Sequence, residues 1–486
     1  MMKLIQCTFF LLIILLSACK QSATERAINF AIAQAPINLD PRYATDAASE
    51  RVNRLLYQRL VEFDEHSRPL SGLATWKSKG QNHYLFELKN NISSFHHGKK
   101  LTAADVKATY DSLISDASSP HAAEYANINT IEVVDEKRLE FTLNEPDQHF
   151  PARLIIGILP KDLIDQQHDF SHQPIGSGPL KFEMWKNTLQ LRRVNDEQLI
   201  SLIEVKDPTV RALKLVRGET DIVQGDLPPE MLDYLRKKQN IQIKTEHGVN
   251  YSYLGLNMQD PLLRLLKVRQ AIAYGIDRQA IIDKVMVDHT RLATAILPPE
   301  HYAGNPNLTD YTYEPQLARQ LLREAAVEMP LNLVYKTSTD PQRVRLATIL
   351  QAQLAKIGIK IEIRSLDWGT FFDEVKNGQF QIYGLTWVGI KTPEIYAKTF
   401  GSENTPPKGF NRGRYVDEEL DLMLAKQDWS SATLRIHNQL PYIPLWYEGQ
   451  VVVMHKEIQG YSPKPDGNWD DLASVTKVPL MTENAH

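Results

Sequence analysis

The chain has 486 residues, of which 43% are hydrophobic, and its formal net charge is −4 at pH 7. This length allows about two to four domains and a large buried core. The nearly balanced charge argues against a nucleic-acid partner, and beyond the N-terminus no apolar run reaches the length of a membrane-spanning helix.

The N-terminus has the layout of a secretory signal peptide. A basic start at Lys3 is followed by an almost entirely apolar run from Leu4 to Ala18, after which the chain turns polar. The only two cysteines of the sequence, Cys7 and Cys19, both lie in this opening segment. Removal of residues 1–18 leaves no thiol pair, so no internal disulfide is expected and the core alone must stabilise the protein.

Residues 16–19, Leu-Ser-Ala-Cys, resemble a bacterial lipobox. The resemblance implies cleavage before Cys19, a diacylglycerol on its thiol and a short tether over residues 19–25. Two alternatives remain: an ordinary signal peptide with an incidental cysteine, and an uncleaved anchor, which the shortness of the apolar run disfavours.

The first regular elements are predicted between residues 84 and 143. The stretches "YLFELK" and "RLEFTL" alternate apolar and polar residues, which is typical of half-buried strands. Between them, Thr102 and Asp105 have the spacing of a capping box at the start of a helix. Further along, two short helices are predicted to meet near Gly275, with Asp277 as a cap, and Pro315 begins another.

The clearest block covers residues 331–385. "PLNLVYK" alternates as a strand, the next helix begins at Pro341 and stops at Gly358, and Ile359, Ile361 and Ile363 mark a second strand. This order predicts a right-handed strand, helix, strand crossover. A helix over 367–376 and a strand over 379–386 complete a layer, so the predicted class is α/β in more than one lobe.

Signatures of catalysis and of metal binding are missing from the sequence. There is no Gly-x-Ser-x-Gly elbow, His-Glu-x-x-His motif, phosphate-binding glycine loop or paired-cysteine metal site. Ser474 and Lys477 fit Ser-x-x-Lys without partner motifs, and His96 with His97 is interpreted as a surface turn ending at Gly98. The sequence therefore favours binding over catalysis and predicts no cofactor.

Aromatic residues are concentrated toward the C-terminal half, where they fit either a core or the walls of a ligand cleft. Trp387 is the most informative, since it ends a predicted strand beside Gly389. Ligand pockets in α/β sheets are found at such strand ends.

Eight segments in order resemble the peptide-binding class of extracytoplasmic solute-binding proteins, which includes the oligopeptide- and dipeptide-binding proteins of ABC importers. The segments are "INLDPRYATDAASERVNRLLYQRLVEFD", "YLFELKNNISSFHHGKKLTAADVKATYDSLI", "PIGSGPLKFEMW", "RALKLVRGETDIV", "YLGLNMQDPLLRLLKVRQAIAYGIDRQAII", "YTYEPQLARQLLREAA", "LAKIGIKIEI" and "LPYIPLWYEGQVVV".

The resemblance implies an α/β, two-lobed periplasmic-binding-protein fold with an extra domain in the N-terminal part. The implied divisions are a signal peptide (1–18), a tether (19–25), lobe I (26–65, 174–250 and a return segment at 456–480), the extra domain (66–173) and lobe II (251–455).

The resemblance also implies a ligand site at the cleft between the lobes, without metal. The implied ligand-binding residues are Trp387, Gly389, Ile390, Glu394, Tyr253, Asn257, Ser177, Gly178 and Trp368.

One position departs from the family pattern. Peptide-binding members carry an aspartate after Trp-x-Gly that pairs with the peptide's amino terminus, and the matching residue here is Ile390. An isoleucine cannot offset the desolvation of an ammonium group, so Glu394 is the nearest carboxylate that could replace it.

The first functional hypothesis is a periplasmic, lipid-anchored binding protein that captures a peptide or peptide-like solute and delivers it to ABC permease subunits. The second keeps the fold but binds a metal chelate, a sugar or another small molecule, and Ile390 favours it. An anchored hydrolase and a sensor or adhesin built on the same scaffold are the remaining alternatives.

Overall fold

A computed structural model describes residues 27–64, 67–225 and 227–478 of the chain. The predicted signal peptide and the whole predicted tether, including Cys19, lie outside the described residues.

Strands and helices alternate along the described chain. The strands are β1 (Ile28–Ile32), β2 (Val61–Phe63), β3 (Pro69–Ser71), β4 (Ala74–Ser78), β5 (His83–Leu88), β6 (Ile128–Val133), β7 (Arg138–Leu143), β8 (Leu180–Trp185), β9 (Leu189–Arg193), β10 (Leu199–Glu204), β11 (Ile222–Gln224), β12 (Ile241–Leu256), β13 (Arg291–Leu292), β14 (Leu331–Ser338), β15 (Ile359–Leu366), β16 (Ile382–Trp387), β17 (Tyr442–His455), β18 (Ile458–Gln459) and β19 (Thr476–Lys477).

The α-helices are mostly short and lie between the strands. They are α1 (Ala47–Leu56), α2 (Ala103–Ser115), α3 (Lys161–Asp165), α4 (Pro208–Val216), α5 (Pro229–Arg236), α6 (Leu266–Gly275), α7 (Arg278–Val285), α8 (Pro315–Glu324), α9 (Pro341–Ala355), α10 (Trp368–Lys376), α11 (Glu394–Phe400), α12 (Glu418–Ala425) and α13 (Trp429–Gln439).

Local signals in the sequence placed several helix starts correctly. The Asp105 carboxylate accepts hydrogen bonds at 2.8 Å from both the backbone N–H and the hydroxyl of Thr102, so the predicted capping box is confirmed. Asp277 accepts a hydrogen bond from the Ala280 N–H at 3.0 Å and begins α7, as expected.

The predicted block is also present, with one shifted boundary. β14 and β15 pair in parallel on either side of α9, which is the predicted crossover unit. β16 begins at Ile382, three residues later than predicted, because the N–H groups of Gly378 and Gln379 still donate to carbonyls of α10.

A mixed sheet of eleven strands organises the molecule. Its order is β15-β14-β16-β12-β17-β11-β1-β10-β9-β8, and β13 pairs with β17 beside this path. We call β11, β1, β10, β9 and β8 the first half and β16, β14 and β15 the second half. The long antiparallel strands β12 and β17 join the two halves, with a register shift between Glu246 and Asn250.

Separate hydrophobic cores lie on either side of this junction. Residues from 28–57, 180–222 and 452–475 share a core against the first half, and residues 254–446 fill a core against the second. A four-stranded sheet, β4-β5-β7-β6, packs with α2 around a third core. The domain boundaries given above stay a prediction.

Residues 27–64, 67–225 and 227–478 contain neither a membrane-spanning helix nor a metal-binding cluster. No helix in these ranges is both long and apolar enough to cross a bilayer. Nor does any group of three or more His, Cys, Asp and Glu side chains in them have the arrangement of a metal site.

Candidate ligand-binding site

The candidate site lies where the parallel strands of the second half end. β14, β15 and β16 run in the same direction, so their carboxyl ends at Ser338, Leu366 and Trp387 meet at one edge of the sheet. Loops that leave this edge are the usual ligand positions in open α/β sheets.

Aromatic rings and one arginine form a cluster at this edge, which we call the arginine cluster: Trp368, Phe372, Trp387, Phe410 and Arg412. Trp368 stacks on Phe372 with ring centroids 5.5 Å apart. The Arg412 guanidinium lies 5.3 Å from the Phe372 centroid, 4.8 Å from that of Trp387 and 5.6 Å from that of Phe410. These are cation–π distances, so Arg412 joins the two predicted tryptophans into one unit.

Sequence reasoning missed Arg412. It lies in the stretch "GFNRGR", where no residue spacing relates it to Trp387. The only available signal was a pair of arginines beside an exposed phenylalanine, and that pattern is typical of many surface loops.

Tyr253 packs beneath the arginine cluster. Its ring stacks on Tyr442 with centroids 4.0 Å apart and on Trp387 at 6.4 Å, and its hydroxyl accepts a 3.4 Å hydrogen bond from Arg412. Because Tyr253 is only 1% exposed, it supports the site from below. Burial opposes the charge of Arg412, but the oxygens of the surrounding tyrosines outweigh it and raise the pKa of Arg412.

Asn257 lies at the other end of the neighbouring strand. β12 and β16 are antiparallel, so Tyr251 pairs with Trp387 while Leu256 pairs with Ile382. The Asn257 amide donates to the carbonyls of Gly378 and Phe380 at 3.1 and 2.9 Å. The structure therefore does not bring Asn257 to Trp387, and its hydrogen bonds shape the turn before β16.

The segment after Trp387 crosses toward the first half. Gly389 has φ +70°, is exposed and has open space around its Cα. Ile390 is half-buried against the core of the second half. Lys391 reaches Asp466, which lies in a segment packed on the first half, with Nζ 2.6 Å from Oδ2. Charge is thus present beside Ile390, but it is positive and already paired.

Glu394 is buried and also paired across the cores. Its Oε1 lies 3.3 Å from Nη2 of Arg153, a residue next to the four-stranded sheet. Its Oε2 is buried without a hydrogen-bond partner among the described residues, as is the hydroxyl of Tyr302. Burial, followed by the nearby Glu394 charge, raises the pKa of Tyr302. Glu394 therefore keeps one buried carboxylate oxygen without a hydrogen-bond partner among the described residues.

Ser177 and Gly178 lie in the chain segment before β8, packed on the end of α1. The Gly178 N–H donates to the Leu56 carbonyl at 2.8 Å, and its own carbonyl is 3.0 Å from Nε2 of His96. The Ser177 hydroxyl is buried without a partner among the described residues. The interpretation of His96 as part of a free surface turn is thus incomplete, because its ring holds this segment and burial lowers its pKa.

The Ser-x-x-Lys pattern does not form a catalytic pair. Lys477 lies 2.7 Å from the Asp221 carboxylate, and the Ser474 hydroxyl donates to the Asp471 carbonyl at 3.4 Å. Both side chains therefore have structural partners at the surface of the first half.

Comparison with known proteins places this fold and site in a family. Residues 57–406 match the model of bacterial extracellular solute-binding proteins, family 5 Middle. The chain belongs to this family. The α/β class and the resemblance predicted from the sequence are therefore confirmed.

Relatives within this family carry different ligands in their names. The chain is 28% identical to the di/tripeptide-binding protein 1 of Pseudomonas aeruginosa, over 93% of this chain and 94% of that one. It is 26% identical to the heme-binding protein A of Haemophilus influenzae, with 92% of each covered. It is similar in fold to NikZ from Campylobacter jejuni, solved in complex with Ni(L-His), at 24% identity and a TM-score of 0.81, over 93% of this chain and 100% of that one.

Gly178 and Gly389 are expected to respond differently to alanine. A Cβ at Gly178 would lie well inside contact distance of the Leu55 and Leu56 carbonyl oxygens, so Gly178→Ala should lower the free energy of unfolding by about 3 kcal/mol. An added Cβ at Gly389 would contact no atom beyond its chain neighbours, so Gly389→Ala should cost only about 1 kcal/mol, because alanine disfavours the left-handed φ there. Urea unfolding measures both, and equal losses would contradict this assignment.

Lys391→Met tests how much the Lys391–Asp466 ion pair contributes to the free energy of unfolding. Burial opposes the charge of Asp466, but Lys391 and backbone hydrogen bonds outweigh it and lower the Asp466 pKa. A carboxyl with a lowered folded pKa stabilises the fold above its unfolded pKa and loses that contribution as pH falls. The variant should therefore lose about 3 kcal/mol at pH 7, the cost of leaving one partner of a buried pair alone.

The difference between wild type and Lys391→Met should shrink as pH falls below about 4, the unfolded pKa of an aspartate, because the contribution of the lowered folded pKa is lost there. Lys100→Met, which removes the exposed Lys100–Glu136 pair, is the matched control and should cost under about 0.5 kcal/mol. Urea unfolding between pH 3 and pH 8 measures these values. A loss that is independent of pH would show that the ion pair does not carry the effect.

Proposed function

We propose that this chain is the extracytoplasmic solute-binding component of an ABC importer and that its ligand is a peptide or peptide-like solute. The observation that carries the proposal is the meeting of separate cores around the arginine cluster: Lys391 contacts Asp466 and Glu394 contacts Arg153 beside it. A solute held there touches segments that pack on different cores. The protein would bind without catalysis and deliver the solute to membrane permease subunits.

Closure in this proposal is driven by the ligand. β12 and β17 are the long strands that join the halves, so bending near their register shift would move one half against the other. A ligand favours the closed form only by the contacts it adds there. The arginine cluster on one side and the unpaired Glu394 oxygen near Arg153 on the other are the groups that would supply them.

The peptide proposal is supported by the aromatic walls and by the di/tripeptide-binding relative. A second candidate is a non-peptide solute such as a metal chelate or a tetrapyrrole. Ile390 favours it, because no carboxylate replaces the usual partner of a peptide ammonium group at that position.

Thermal unfolding with peptide libraries tests the ligand class. A di- to pentapeptide present at about one hundred times its dissociation constant should stabilise the protein by about 2.7 kcal/mol. Buffer and free amino acids are the controls. Stabilisation by haem or a nickel–histidine complex, with no response to any peptide, would replace the first candidate with the second.

The proposal also includes a periplasmic location and a lipid anchor on Cys19. Cys19→Ser should prevent diacylglycerol attachment, and the chain should then move from the membrane fraction to the soluble periplasmic fraction. Cys7→Ser is the matched control, since it should be removed with the signal peptide. Mass spectrometry of the mature N-terminus measures the lipid, and an unmodified Cys19 in the wild type would overturn the anchor.

A further inference from the structure

Arg412 differs from the other buried arginines in its hydrogen-bond partners. Among the described residues, the guanidinium groups of the other buried arginines each contact a carboxylate or a backbone carbonyl: Arg59, Arg193, Arg211, Arg269 and Arg278. Arg412 is 8% exposed and, within the same residues, contacts only the neutral hydroxyl of Tyr253 at 3.4 Å. Its charge therefore lacks an anion.

The carboxylates around the site have other partners. Glu448 accepts hydrogen bonds from the hydroxyls of Ser252 and Thr386. Asp466 is paired with Lys391, and Glu394 is paired with Arg153. Aromatic rings and a neutral hydroxyl are weaker partners for a buried guanidinium than a carboxylate is. Among the described residues, the arginine cluster thus holds a guanidinium without a carboxylate partner at the edge where a ligand is expected.

The surroundings of Arg412 restrict how an anion can approach. Trp387, Phe372 and Phe410 lie 4.8–5.6 Å from the guanidinium carbon, and their apolar rings cannot accept its in-plane hydrogen bonds. A planar guanidinium binds carboxylates edge-on through two parallel N–H groups. The indole N–H of Trp387 is also buried without a partner among the described residues, which leaves a further donor at the same place.

We propose that Arg412 binds a carboxylate of the transported solute and so selects acidic ligands; this rests on the proposed function. The protein then contributes a positive charge to ligand binding, whereas an ammonium-binding site after Trp-x-Gly contributes a negative one. Ile390 provides no negative charge, and Arg412 provides the positive one. The carboxylate comes either from the C-terminus of a peptide or from an acidic side chain.

Paired ligands test this proposal. Di- and tripeptide libraries are prepared as free acids and as C-terminal amides, with and without a glutamate, and binding is measured by calorimetry. Wild type should bind amides that lack glutamate at least tenfold more weakly than free acids that contain it. Amides that contain glutamate should bind like the acids if a side chain is the source, and weakly if the C-terminus is the source.

Arg412→Gln should abolish the preference, and Arg412→Lys, which keeps the charge but loses the planar fork, should reduce it about tenfold. Arg414→Gln is the matched control, because Arg414 lies on the same loop and donates to the carbonyls of Arg412 and Lys376. It should keep the wild-type preference. Equal binding by wild type of free acids that contain glutamate and of amides that lack it, or equal weakening of both by Arg412→Gln, would overturn the proposal.

A second experiment distinguishes failure of the Arg412 proposal from failure of the peptide-binding proposal. Sodium succinate and sodium phosphate are titrated while tryptophan fluorescence is recorded, since Trp387 lies against Arg412. If no peptide binds but succinate changes the fluorescence of wild type and not of Arg412→Gln, the peptide proposal fails and the Arg412 site stands. If neither anion discriminates the two proteins, the Arg412 proposal fails whether or not peptides bind.

Discussion

The pairing of β12 with β17 is the constraint on which the rest of the structure depends. These strands have 16 and 14 residues, far more than most others in the main sheet, and they connect both halves of it. The cores on either side are therefore joined through this pair, with side-chain contacts such as Lys391–Asp466 and Arg345–Glu230 beside it. A strand pair that joins two cores can bend at one place without disrupting either core. This is the hinge arrangement that ligand-driven closure needs.

Charge burial explains what the site can recognise. Two carboxylates, Glu394 and Asp466, are neutralised by cations from other parts of the chain, so their pairing stabilises contact between the cores. Among the described residues, Arg412 is buried between aromatic rings without a carboxylate partner. A carboxylate ligand would supply a stronger partner than the rings and the Tyr253 hydroxyl do, and this difference would favour the ligand-bound form.

Much of the local architecture could be predicted from the sequence because it depends on neighbouring residues. The caps at Asp105 and Asp277 act within four residues, and the alternation in β14 and β15 follows from which face is buried. Recognition of the family from ordered segments also succeeded, since it draws on the whole chain rather than on one motif.

The site itself was only partly predictable because its members are distant in sequence. Glu394 and Arg153 are 241 residues apart, and no pattern relates them. Asn257 was grouped with Tyr253, but the antiparallel register of β12 and β16 places it away from Trp387. Arg412 reaches Trp387 through a returning loop, and only three-dimensional packing reveals that its charge has no anionic partner in the described part of the chain.

The most direct measurement is native mass spectrometry of the protein purified from its own host, followed by identification of the released ligand. The central claim is that separate cores close on one solute whose carboxylate meets Arg412. The account predicts a single small peptide-like solute with a free carboxylate, bound one to one and absent from Arg412→Gln. A stoichiometric solute without a carboxylate, or one retained unchanged by Arg412→Gln, would contradict it.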